Sequence, residues 1–198
     1  MDENKKSLDA AFFNNLYQEN GDPWNFEQSE YEHEKYHETL KMIPAESYDY
    51  AFEIGCSNGV LTQMLLPKCK RLLAVDASRI AVENAKNRLG DNANATIQEM
   101  EIPRDFPNEK FDLILFSEIG YFLSMEDLLE TRDKMIESLN AGAHLLLVHW
   151  TPLVDEFPLT GDQVHEQFLA ISGEDSQPLL HLNQRIEEQY RMDLFERK

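Results

Sequence analysis

The segment Glu53-Ile54-Gly55-Cys56-Ser57-Asn58-Gly59 concentrates the residues most committed to chemistry. Its glycines let the backbone turn sharply and let a ligand approach closely, because glycine adopts left-handed conformations at little cost. The spacing is E-x-G-x-S-x-G, which departs from the G-x-G-x-x-G of plain dinucleotide sites. An acid two residues before the first glycine is unhelpful to a pyrophosphate. It is useful to a cationic ligand, such as the ammonium group of an amino acid. A second acid, Asp76, closes the apolar run RLLAVD at Arg71–Asp76. A carboxylate at such a strand end is placed to accept hydrogen bonds from ribose hydroxyls. A rival motif lies upstream, where His33-Glu34-Lys35-Tyr36-His37 fits the H-E-x-x-H of helical zinc proteases. On a helix His33 and His37 would share a face, with Glu34 as base. The other reading is a solvated or substrate-facing helix side, and with no clear third ligand following, no metal is expected. Cys56, at a helix start, could be reactive; the plainer reading is a small loop residue.

The elements that must position these residues follow from periodicity. Helical spacing covers Ala10–Tyr17, GDPW at Gly21–Trp24 is a turn, and Ser29 caps a helix running to about Ile43, ended by Pro44. Residues 2–9 read as a frayed polar lead. Beyond Ser47, short apolar runs alternate with amphipathic helices. Strands are expected at Tyr50–Ile54, Arg71–Asp76, Ala95–Gln98, Asp112–Phe116 and Ala143–His149. Helices are expected at Gly59–Leu66, Ser78–Leu89, Met125–Leu139 and Gly161–Ile171, with Gly142 ending the third of these. Strands apolar on both faces, separated by helices, predict a parallel sheet covered on both sides. Leu180, Leu182, Ile186, Tyr190, Met192 and Leu194 all fall on even positions, a strand period; one long strand and a hairpin bent near Glu187–Gln189 fit equally. The expected class is α/β with a doubly wound, mostly parallel sheet. Residues 1–46 form an N-terminal helical cap or lid and residues 47–198 the core of a single domain.

Composition narrows the partners. The 198 residues carry 37 acidic against 18 basic side chains, a net charge of -19. Phosphate backbones and anionic lipid surfaces attract the opposite balance, so neither nucleic acid nor membrane is expected as a partner. With 42% hydrophobic residues the chain has enough apolar mass for a core. No run approaches the roughly 20 apolar residues of a membrane span, and residues 1–20 lack a signal-peptide pattern. Two cysteines make no disulfide framework. A cytoplasmic location is expected, and the oligomeric state is left open.

Glu53–Gly59 together with Asp76 resembles the class I S-adenosylmethionine-dependent methyltransferases. GDPWNFEQSEYEHEKY (Gly21–Tyr36) and FDLILFSEIGYFL (Phe111–Leu123) make the likeness narrower. With HW at His149–Trp150 and FPLTGDQVH at Phe157–His165, they look like the nodulation N-methyltransferase (NodS-type) family. The resemblance covers roughly Gly21 to Arg197 and implies a Rossmann-like methyltransferase fold with S-adenosyl-L-methionine as cofactor. It implies that Gly55, Ser57 and Gly59 line the methionine and ribose portion, with Glu53 beneath the loop. Asp76 would take the ribose hydroxyls, Glu99 and Met100 would border the adenine, and Ser117 would face the methionine part. Trp24 and Lys35 would close over the cofactor from the cap, Lys35 as partner of its carboxylate. Ser57 stands where many relatives have a middle glycine, a small departure.

Methyl transfer from a sulfonium is an in-line displacement with a good neutral leaving group, so alignment and exclusion of water matter most. An amine acceptor must arrive unprotonated, which a nearby base secures. Glu118, Tyr121 and His149 fall at the expected acceptor side, His149 suited by a reference pKa near neutrality and Glu118 suited to hold a cationic amine. The resemblance thus implies a small-molecule N-methyltransferase whose acceptor is an amine, an amino sugar of an oligosaccharide being one form. A small-molecule O-methyltransferase and a non-catalytic cofactor-binding protein are the alternatives. The acidic surface would draw cationic ligands towards it, an effect that salt screens.

Overall fold

A computed structural model describes residues 5–173 and 175–198. Two helices come first, α1 (Ala10–Glu19) and α2 (Glu30–Met42). The sheet then begins with β1 (Ala51–Ile54), α3 (Val60–Leu65), β2 (Leu72–Asp76), α4 (Arg79–Leu89) and β3 (Ala95–Glu99). It continues through β4 (Phe111–Ser117), α5 (Met125–Ser138), β5 (Leu139–Trp150) and α6 (Gly161–Leu169), and closes with β6 (Leu179–Ile186) and β7 (Tyr190–Arg197). The strand order is β3-β2-β1-β4-β5-β7-β6. β1 to β5 are parallel, β7 runs antiparallel to β5, and β6 antiparallel to β7. The order reverses between β1 and β4, which opens a crevice beyond their carboxyl ends.

Burial explains the arrangement. Every residue of β1 and β2 is buried, as is all of β4 but one, the mark of strands covered on both faces. Period two divides them: Phe52, Ile54, Ile114 and Phe116 enter one core, and Ala51, Leu113 and Leu115 the other. Helix starts are fixed by side-chain caps, each of which stabilises by about 1 kcal/mol. Ser29, Ser78 and Ser124 accept from the N–H groups of Glu32, Ala81 and Asp127, and Thr160 forms a reciprocal capping box with Gln163. α1 packs on α4 and α2 on α3, so the first two helices lie over the carboxyl end of the sheet.

Three expectations need correction, and one alternative left open is resolved. Gly142 does not end α5: the helix stops at Ser138 and β5 already begins at Leu139, with Gly142 inside it at φ 77°. The last helix ends at Leu169 rather than Ile171. The lead segment, of which residues 1–4 lie outside the described residues, is not frayed over 5–9. The Leu8 N–H bonds the Phe122 carbonyl at 2.9 Å, Ser7 accepts from the Ser124 N–H at 2.7 Å and donates to Asp127, and Lys5 reaches the carbonyls of Asp155 and Phe157. The even-position pattern near the C-terminus is a hairpin turning at 187–189, and its parity does not mark one buried face. Tyr190, Met192 and Leu194 are buried, while Leu180, Leu182 and Ile186 stand exposed. β6 is the sheet edge, and its register shifts between His181 and Asn183.

Candidate active site

Beyond the ends of β1, β2 and β4 lies a cavity of about 390 Å³. Gly55 leaves β1 at φ 86°, and a Cβ there would come within 2.3 Å of the Ile119 side chain, so both conformation and space require glycine. Gly59, at φ 76°, caps α3 behind the loop, where a Cβ would meet Ala85 at 3.0 Å. Ser57, between them, is itself left-handed at φ 48°. Its N–H donates to one Asp76 carboxylate oxygen at 2.9 Å, and the Ser78 N–H to the other at 2.8 Å. Asp76 is thereby held in the cavity wall with lone pairs left for a ligand. Burial pushes its carboxyl up to about 6 despite these two N–H groups. Glu53 sits behind the loop, 2% exposed. Burial, with the charge of Asp76 adding, pushes it up to about 7, and its Oε2 finds no hydrogen-bond partner among the described residues.

The cap reaches the same cavity. Trp24 stacks on Phe26 at 5.5 Å and meets the edge of Tyr17, whose hydroxyl bonds that of Ser57. Tyr17 therefore ties α1 to the glycine loop, a role its apolar helical spacing did not reveal. Ser117 and Met100 line the wall, and the Met100 N–H bonds the Asp76 carbonyl at 2.9 Å. Glu99 points to solvent; Glu101 and Ile102 stand in the wall instead. Cys56 is buried, which pushes its thiol far up and leaves it unreactive.

On the opposite side Lys35 is 2% exposed, with Nζ 2.7 Å from Glu118 and 2.8 Å from Glu32. Burial works to lower its pKa, but the two carboxylates prevail and hold it above its ordinary value. Burial raises Glu32, Lys35 opposing. Glu118, left-handed at φ 60°, gives Oε1 to Lys35 and uses Oε2 to accept from the Tyr121 hydroxyl at 2.6 Å and the Trp150 N–H at 2.9 Å. Burial and Glu118 push the Tyr121 phenol well up, so it stays a donor. Two carboxylates around one ammonium, in a wall otherwise rich in Phe13, Phe122 and Phe157, make a site with surplus negative charge. In a poorly hydrated setting a cation relieves that surplus. Glu32 was missed by sequence reasoning. The available signal was its i,i+3 spacing to Lys35, continued by Tyr36 and Thr39 along the buried face of α2.

His149 is not a wall residue. It is wholly buried behind the turn at 120–122, and its Nε2 accepts from the Gly120 N–H at 3.0 Å. Burial pushes its pKa well below the ordinary value, and the neighbouring His165 and the Lys35 charge oppose its protonation further. That geometry corrects the expectation that it meets the acceptor as base. The H-E-x-x-H residues lie on the outer side of α2: the His33 ring lies 3.3 Å from the Glu27 carbonyl, and Glu34 and His37 are exposed. Among the described residues no group of three or more His, Cys, Asp or Glu is placed to hold a metal ion. His37 and Glu34 instead line a surface groove of about 770 Å³ between α2 and the β6–β7 turn, and Lys35 borders both that groove and the cavity. No described helix is long and apolar enough to cross a membrane.

The family profile of nodulation protein S (NodS) matches residues 10–147. Nodulation protein S of Bradyrhizobium diazoefficiens is 35% identical over 103 residues, 52% of this chain and 49% of that protein. The Rhizobium tropici protein is 28% identical over 129 residues, 63% of this chain and 53% of its own. The chain spans about half the length of these curated relatives. Among solved structures, the N-methyltransferase NodS from Bradyrhizobium japonicum WM9 in complex with S-adenosyl-L-homocysteine superposes with TM-score 0.81 at 21% identity, over 96% of this chain and 99% of that one. A putative methyltransferase from Pseudomonas syringae gives TM-score 0.72 at 34% identity, over 84% and 99%. The chain belongs to the NodS family and has its methyltransferase fold.

Proposed function

We propose that this NodS-family chain transfers a methyl group from S-adenosylmethionine to the nitrogen of a small-molecule amine. The observation that carries the reading is the pairing, across one cavity, of the Asp76-anchored glycine loop with the Lys35–Glu32–Glu118 cluster. The wall fits the cofactor. Asp76 presents a fixed carboxylate to a diol, Gly55 leaves backbone access, and Met100 and Ile102 give an apolar flank for a base. Ser57 and Ser117 border the space between, with Glu53 and Gly59 behind the loop. When bound, the cofactor supplies an electrophilic methyl on a positively charged sulfur.

The protein's own part is to bind, align and keep water out. Glu118, held on three sides, receives the amine as a cation and takes up its proton directly or through one water, restoring the lone pair. Tyr121 fixes the Glu118 carboxylate, and Lys35 keeps it in place while Glu32 retains the excess negative charge. Trp24 and the cap helices α1 and α2 cover the carboxyl end of the core sheet. An N-methylating role accords with the N-methyltransferase named among the structural neighbours, and an amino sugar is one acceptor of this class. A cytoplasmic setting, without nucleic-acid partners, suits a site for small molecules.

The test is conversion of S-adenosylmethionine to S-adenosylhomocysteine with a panel of amines, amino sugars and matched hydroxyl compounds. Turnover with amines is expected. Turnover with hydroxyl compounds alone makes the chain an O-methyltransferase, and failure of calorimetry to detect binding of either cofactor form overturns the reading.

A further inference from the structure

The turn carrying Glu118 and Tyr121 is held from behind by a buried single file of polar groups. The Gly120 N–H donates to His149 Nε2 at 3.0 Å, His149 Nδ1 lies 3.1 Å from His165 Nε2, and His165 Nδ1 lies 2.6 Å from Asp193. All three side chains have no exposed surface. A backbone N–H can only donate, so His149 Nε2 carries no proton and its hydrogen sits on Nδ1. His165 Nε2 must then accept, which puts its own hydrogen on Nδ1, facing Asp193. Asp193 is anchored in turn by Arg191 at 2.7 Å on the same oxygen, and by His181 at 2.7 Å and Gln184 at 3.0 Å on the other. The near end is shaped for this contact. A Cβ on residue 120 would lie 2.9 Å from His149 Nε2 and 2.5 Å from Val164.

We infer that His149 and His165 are positioning residues that fix the Glu118–Tyr121 turn from the C-terminal hairpin. The carboxylate of Asp193 on β7 sets the tautomer of His165 on α6, which sets that of His149 on β5, which presents a lone pair to the turn. Methyl transfer depends on sub-ångström alignment, so the position of this turn governs turnover without any imidazole touching the acceptor. The effect on turnover rests on the proposed reaction; the tautomers do not.

Imidazole nitrogen NMR on the full chain tests the file directly. Both His149 and His165 are expected neutral with hydrogen on Nδ1, with a through-hydrogen-bond coupling between the Gly120 amide nitrogen and His149 Nε2. A hydrogen on His149 Nε2 overturns the inference. Two variants test the consequence. In His149→Gln the side-chain oxygen can still accept from Gly120; in His149→Asn the shorter amide reaches His165 but not Gly120. With the amine that turns over fastest, His149→Asn should lose about 30- to 100-fold in kcat. His149→Gln should restore most of that loss, with an unaltered pH profile. S-adenosylhomocysteine binding within about threefold of the parent checks that both fold. Equal loss in both variants, with the acidic limb of the pH profile removed, makes His149 the base and refutes the positioning role. Loss of all turnover in the parent chain would count against the methyltransferase reading, leaving the file to be judged by the NMR result.

Discussion

On the glycine-loop side of the cavity the charged group is held by backbone: Asp76 receives the N–H groups of Ser57 and Ser78 and little else. On the far side charge is held by side chains alone or nearly so. Lys35 from α2 bridges Glu32 and Glu118, and Glu118 is steadied by Tyr121 and the N–H of Trp150, the last residue of β5. The first wall is local in sequence, since its partners belong to two successive strand–turn–helix units, with Ser57 after β1, Asp76 at the end of β2 and Ser78 just beyond it. The second is assembled from segments more than eighty residues apart and can exchange partners when a charged ligand arrives. Under the proposed reaction that division gives a stiff wall to the cofactor and a side-chain wall to the acceptor.

The largest test of this contrast is Lys35→Met, which strips two buried carboxylates of their counter-ion. It should destabilise the fold by about 3–5 kcal/mol, read from the urea midpoint, and adding Glu118→Gln should recover part of the loss. An unchanged midpoint would mean the side-chain wall carries no strain. Next, Asp76→Ala should weaken S-adenosylhomocysteine binding about 100-fold by calorimetry, because charged hydrogen bonds are lost and two N–H groups are stranded. Glu118→Gln should instead lower amine turnover by about 30-fold while leaving that binding within about threefold. If it weakened cofactor binding as much as Asp76→Ala does, the two walls would not be separate devices.

Smaller effects come from pH. Asp76 and Glu53 have folded values raised to about 6 and about 7, above the unfolded values near 4. Their contribution to stability is therefore full below about pH 4 and is lost as pH rises through 6 and 7. The unliganded chain should lose stability over that window, measured by denaturant titration. Binding runs the other way, because the ligand needs the ionised Asp76: affinity for S-adenosylhomocysteine should fall about fourfold from pH 7.5 to 5.5. Affinity that is flat over this interval removes Asp76 from its assigned contact. The smallest effect belongs to His33→Ala, outside both walls, which should alter turnover by less than about twofold and show no zinc dependence.

The same division explains what the sequence revealed. Gly55, Ser57 and Asp76 announce themselves because a strand end, a tight turn and an acid are local patterns. Lys35 stands out only through the family resemblance, as a partner of the cofactor. Its pairing with Glu32 and Glu118 is not legible, since nothing within α2 says that Glu118 will arrive from the end of β4. His149 ends an apolar run in a plausible place. Its orientation is decided by Gly120 and His165, contacts that no spacing rule encodes. Gly142 read as a helix stop because glycine punctuates helices, whereas Leu139 pairing with Phe111 draws the chain into the sheet three residues earlier. Leu180, Leu182 and Ile186 have strand periodicity, but a sheet edge exposes what a sheet interior would hide.

Lys35 borders both the cavity and the outer groove, so one side chain is the partition between an interior chamber and a surface channel. Among the residues lining the two spaces, Lys35 is the one they share, so its side chain belongs to an interior chamber and a surface channel at once.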